Sequence, residues 1–134
     1  MREVTVGWAG GAFAQDIDIA GHRLRADEPK DKGGDESGAG PHELLLAALG
    51  ACTAMTLKVY AERKGWPLRN VKIALNGSTT PTGFVITRQL TYDGDLDAEQ
   101  RQRLVEIADK CPVHKTLSGT ITIQTTETPA RSTL

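Results

Sequence analysis

The chain has 134 residues, with 16 Lys+Arg against 17 Asp+Glu for a net charge of −1, and it is 39% hydrophobic but only 4% aromatic. One domain of this length buries enough surface to fold without metal or disulfide staples, so the two cysteines are not needed as scaffolding. The balanced charge offers no surplus cations to neutralise phosphates, and few aromatics are left for stacking, which argues against nucleic-acid binding.

The opening MREVTVGWAGG lacks the apolar stretch of a secretory signal, so a reducing, cytoplasmic location without a permanent disulfide is expected. Val4, Val6 and Trp8 alternate with polar or small residues, and Phe13, Ile17 and Ile19 recur with mostly period-two spacing. With turns at Gly10-Gly11 and Ala20-Gly21 and a third strand over 22–26, this predicts an antiparallel meander. Residues 27–40, DEPKDKGGDESGAG, are loop by composition, and loops this long often serve as lids or binding loops.

Pro41 opens the strongest helical segment, with Glu43 near its positive end and Gly65 and Pro67 stopping it. Residues 44–57 are apolar almost all round, which predicts a central, buried helix. The charges at Lys58, Glu62, Arg63 and Lys64 keep the apolar run short of the about 20 residues of a bilayer span, so no membrane partner is expected.

Strands over 71–75 and 84–92 form a hairpin around a turn containing Asn76-Gly77 and Pro81-Thr82-Gly83. Asp97 and Gln100 resemble a capping box for a second helix ending near Lys110, with Leu104, Ile107, Ala108 and Cys111 at helical spacing. Residues 120–126 read as a final strand with Ile121 and Ile123 on one face, and 127–134 as a flexible tail. The expected fold is α+β, one domain over 1–126 with a mostly antiparallel sheet. Six short strands and one further helix cannot enclose a helix apolar on every side, so an obligate homodimer is expected.

Cys52 sits among small residues in Gly50-Ala51-Cys52-Thr53-Ala54; burial alone would make it inert, and a nearby positive charge would reverse that. Cys111 precedes Pro112 and can cap a new helical turn, a setting that favours thiolate, with His114 and Lys115 as possible sources of positive charge. A closed zinc site needs four ligands, and Cys52, His22 and His42 lack paired spacing, so no metal is expected. A Cys–His acyl hydrolase would need Cys111 and His114 in a geometry that nearness in sequence does not supply. Two thiols in a reducing compartment, without a structural need for a bridge, suggest a redox cycle in which one sulfur attacks and the other resolves.

The segments Gly40-Pro41-His42-Glu43-Leu44-Leu45-Leu46-Ala47-Ala48-Leu49-Gly50-Ala51-Cys52 and Cys111-Pro112-Val113-His114 resemble the OsmC/Ohr family of thiol-dependent peroxidases. The resemblance implies an intertwined homodimer, its two central helices wrapped by the sheets and its active sites at the subunit interface. It implies Cys52 as the peroxidatic cysteine and Cys111 as the resolving one. Organic hydroperoxides would be the substrate class, with no bound cofactor and an external dithiol such as a lipoyl group as reductant.

Two departures stand out. The first hairpin lacks the activating arginine of the organic hydroperoxide resistance branch, and Glu43 lies nine residues before Cys52, about 180° away around a straight helix. Glu43 therefore either starts an irregular helix or stabilises its N-terminus, while His42 is nearer in angle. Arg23, Arg25, Arg88 and Lys115 are the candidates for a substitute cation, with His42 and His114 as further site residues. The pattern is closer to the OsmC-like branch. Its alternative to a peroxidase is a dimer that senses redox state or binds a small apolar ligand without turnover.

Overall fold

The computed structural model describes residues 1–129. Strands β1 (Val4–Gly10), β2 (Ala14–Ile19) and β3 (His22–Ala26) form an antiparallel meander in the order β1-β2-β3. Gly10, Gly11 and Gly21 take the positive φ that its tight turns require. The loop that follows is well tied: Asp27 N donates to Ala39 O at 3.0 Å, and a short 3-10 turn occupies Lys30–Lys32. The buried Asp27 carboxylate accepts from the Glu28 and Ser37 N–H groups and, at 2.6 Å, from the Ser37 hydroxyl.

Helix α1 spans Pro41–Lys64, between Gly40 and a left-handed Gly65. Glu43 Oε1 accepts the Gly40 N–H at 2.8 Å, so this carboxylate stabilises the helix N-terminus. Strands β4 (Asn70–Thr80) and β5 (Gly83–Asp93) form a separate hairpin against α1. It turns at Pro81-Thr82 only, because 76–80 continue the ladder opposite 83–87. Gly77, expected in the turn, is a strand glycine whose missing Cβ leaves room for the Phe84 ring.

Helix α2 (Ala98–Ala108) begins with the expected capping box of Asp97 and Gln100, and α3 (Pro112–Ser118) is capped by Cys111. The core joins Leu57 and Ala61 of α1, Leu68, Leu96, and Leu104, Ile107 and Ala108 of α2. Leu90 and Tyr92 of β5 pack against it. This cluster fixes the second half of α1 against the α2–α3 corner, where both cysteines lie.

Three expectations need correction at the level of the single chain. The strands form two sheets, and 120–126 lie outside regular secondary structure with Ile121 and Ile123 exposed, because no strand among the described residues pairs with them. Helix α1 is covered on one side only: its buried residues are Leu49, Gly50, Thr53, Leu57 and Ala61, while Met55 is 69% exposed. By length and composition α1 would suffice to cross a membrane, a test that the core helix of a soluble protein also meets. The meander likewise bares a cross-strand row, in which Ile17 pairs with both Val6 and Leu24 and the two outer residues are exposed.

Candidate active site

Cys52 lies in the middle of α1 and is half-buried, whereas Cys111, at the head of α3, is wholly buried. The two thiols are near enough to influence each other's ionisation. Cys52 opens into a cavity of about 600 Å³ between α1 and α2, lined by apolar Met55, Val59, Ile107 and Pro112. Arg63, Arg103 and Lys110 stand at the same cavity, and no residue of the 27–40 loop contributes to its described lining.

The environments of the sulfurs differ. Burial, then contact with Cys111, pushes the Cys52 thiol above its ordinary value, against partial relief from the Val113 N–H and the Thr56 hydroxyl. Burial also opposes ionisation of Cys111, but it is outweighed chiefly by the Cys52 thiol and the His114 N–H. Cys111 is therefore held below the ordinary thiol value. The His114 N–H donates to Cys111 Sγ at 3.4 Å, so this sulfur caps α3. The pair shares its protons unequally, with Cys52 the better proton holder and Cys111 the better thiolate.

Behind the sulfurs stands a polar network. Arg88 of β5 donates from Nη1 to Thr53 Oγ1 at 2.9 Å, and from Nη2 to Asp109 Oδ1 at 3.0 Å and His114 Nδ1 at 3.1 Å. A guanidinium can only donate, so His114 accepts at Nδ1 and a neutral ring carries its proton on Nε2. Thr53 Oγ1 also lies 2.7 Å from the Leu49 carbonyl oxygen, to which it donates.

Of the residues singled out from the sequence, the fold gathers Cys52, Cys111, His114 and Arg88. Arg25 and Arg23 are paired with Asp16 and Asp18 on the meander, and His42 stacks against Phe84 at 5.3 Å between ring centres. Lys115 follows His114 in α3. Thr53 and Asp109 carry no signal of their own in the sequence. Arg88 does carry one, since it occupies the row of Phe84, Ile86, Leu90 and Tyr92 in β5 and is the one charge among these apolar side chains. Among the described residues, no group of three or more His, Cys, Asp or Glu side chains is arranged to hold a metal.

The family model described as OsmC-like protein matches residues 33–126. The fold is similar to that of an OsmC-like protein from Mycoplasma pneumoniae, with a TM-score of 0.76 at 20% identity, covering 89% of this chain and 88% of that one. It is also similar to an organic hydroperoxide resistance protein, OsmC, from Legionella pneumophila (TM-score 0.67, 20% identity, 89% and 90% covered). A third similar structure is the organic hydroperoxide resistance protein OhrB of Bacillus subtilis (TM-score 0.63, 24% identity, 89% and 91% covered). Comparison with curated proteins gives no match.

Proposed function

Because the chain belongs to the OsmC-like family, we propose that it is a thiol-dependent peroxidase that reduces organic hydroperoxides through Cys52 and Cys111. The observation that carries this is the unequal access of the two sulfurs: Cys52 lines an apolar cavity, while Cys111 is sealed behind it. Apolar walls suit the organic part of a hydroperoxide. The structures of Legionella pneumophila OsmC and Bacillus subtilis OhrB, both named for organic hydroperoxide resistance, support the same chemistry.

In the proposed cycle Cys52 gives up its proton as its sulfur attacks the distal peroxide oxygen. The O–O bond breaks, the alkoxide takes up that proton and leaves as alcohol, and Cys52 becomes a sulfenic acid. Cys111 thiolate then displaces hydroxide from this sulfur, giving a disulfide and, with a proton, water. An external dithiol such as a lipoyl group, in a reducing cytoplasm, returns both thiols by exchange.

The same proposal includes a homodimer. Trp8 is 87% exposed and Ile123 84%, and with Val6, Leu24, Met55 and Val59 they form apolar surface that a second copy of this chain would cover. One observation favours the alternative of a redox-sensing or apolar-ligand dimer: the Cys52 thiol is raised, and no arginine hydrogen-bonds its sulfur among the described residues.

The test is thiol titration and intact mass after one equivalent of cumene hydroperoxide, in the wild-type chain and in Cys52→Ser and Cys111→Ser. A peroxidase loses both thiols to an intramolecular disulfide and traps a sulfenic acid on Cys52 when Cys111 is replaced. Persistence of both thiols in a folded dimer under excess peroxide rejects the peroxidase and leaves the ligand-binding alternative.

A further inference from the structure

Arg88 interrupts the inward row of β5 between Ile86 and Leu90, and its side chain is only 12% exposed. Burying a guanidinium is costly unless its donors are engaged. Here one planar group engages three elements: Thr53 of α1, Asp109 at the end of α2, and His114 of α3. Thr53 adjoins Cys52 in sequence, while Asp109 and His114 bracket Cys111. Both thiols are thus fixed by backbone segments that the same side chain holds together, although Arg88 hydrogen-bonds neither sulfur in the described residues.

We propose that Arg88 is the positioning residue for disulfide closure, clamping α1 to the α2–α3 corner so that Cys111 is aimed at the Cys52 sulfur. The assignment rests on the two-thiol cycle proposed above. In the step concerned, Cys111 thiolate attacks Cys52 sulfenic acid, the S–S bond forms as the S–O bond breaks, and the departing hydroxide takes a proton to become water. Cys111 sulfur is oxidised, and the sulfenic sulfur is reduced. Closure demands alignment of two sulfurs, and misplacement by about 1 Å costs on the order of 100-fold in rate. Attack of Cys52 on peroxide makes no such demand on Cys111. Lysine cannot replace the clamp, because a single ammonium lacks the planar fork that serves Thr53, Asp109 and His114 together.

The experiment times closure of the Cys52–Cys111 disulfide in wild type, Arg88→Ala and Arg88→Lys, once with one equivalent of cumene hydroperoxide and once in an oxidised-glutathione buffer. Sulfenic acid formation is timed in parallel in a Cys111→Ser background with and without Arg88→Ala. Both Arg88 variants are expected to close at least about 10-fold more slowly in both arms, with sulfenic acid persisting on Cys52 in the peroxide arm, while in the Cys111→Ser background it forms at nearly the parental rate. A merely structural defect would slow the two steps together. Closure in Arg88→Ala or Arg88→Lys at the wild-type rate overturns the assignment, as does a wild-type pair that fails to close in glutathione. If Arg88→Ala does not fold, Asp109→Ala carries the same comparison, with slowed closure supporting the clamp and unchanged closure rejecting it. Failure of the peroxidase reading is separate, because it appears as absence of sulfenic acid in the parental Cys111→Ser chain.

Discussion

Cys52 and Cys111 move each other's ionisation in opposite directions: burial raises both, and against it the neighbouring thiol is the largest influence lowering Cys111, while it adds to burial in raising Cys52. Thiolate absorbance in the wild-type chain should therefore titrate in two steps, one on either side of 9.0. Cys52→Ala removes the largest influence lowering Cys111, so its step should move up. Cys111→Ala removes two influences raising Cys52, so that step should move down. Titrations unchanged by either substitution would show that the sulfurs do not share protons.

The Ser37 hydroxyl, followed by the Ser37 and Glu28 N–H groups, holds the Asp27 carboxyl below its ordinary value of 3.8. A group with a depressed folded pKa stabilises the fold above the unfolded value and loses that contribution as pH falls through the folded one. Protection of the Ser37 amide, relative to its exchange in the unfolded chain, should thus be the same at neutral and mildly acidic pH and fall only below 3.8. Asp27→Ala should lower that protection at neutral pH. Equal protection in the variant would show that the carboxylate does not tie the loop.

Leu57 has no exposed surface and packs in the cluster of Ala61, Leu104 and Ile107. Leu57→Ala should cost about 3 kcal/mol in urea unfolding, from lost transfer energy and the cavity left behind. Val105, on α2 but 47% exposed, is the control, and Val105→Ala should cost well under half as much. Comparable losses at the two positions would contradict the placement of the core.

Val6 is 59% exposed in one chain but belongs to the apolar row with Ile17 and Leu24 that a second copy is proposed to cover. Val6→Lys should weaken dimerisation by more than about 100-fold, because an unpaired charge would be buried at the interface. Sedimentation of the wild type as a monomer at all accessible concentrations would remove the need for such cover.

Gly77 and Arg88 show where the sequence is transparent and where it is not. Gly77 follows Asn76, a pairing that marks turns locally; the ladder opposite 83–87 and the Phe84 ring override it, and neither is visible within a few residues of Gly77. Arg88 was open to detection, since period two places it in an apolar row, but its partners come from three elements that only the folded chain assembles. Pro112 announced α3 and Asp97 announced α2, because capping is local chemistry. The paired cysteines were legible through family resemblance, whereas Thr53 and Asp109 acquire a role only through Arg88. The apolar girth of α1 was plain from 44–57, yet one chain covers a single side of it.

Cys111 caps the start of α3 with the same sulfur that the proposed cycle oxidises. A disulfide sulfur is a poorer acceptor than a thiolate, so closing the bond would take from His114 N–H the partner that begins the helix. Thermodynamic reciprocity then makes α3 a reporter of electron count: oxidation favours its fraying, and whatever frays it favours oxidation. Faster amide exchange at His114 in the oxidised chain than in the reduced one would register that exchange of helix for disulfide.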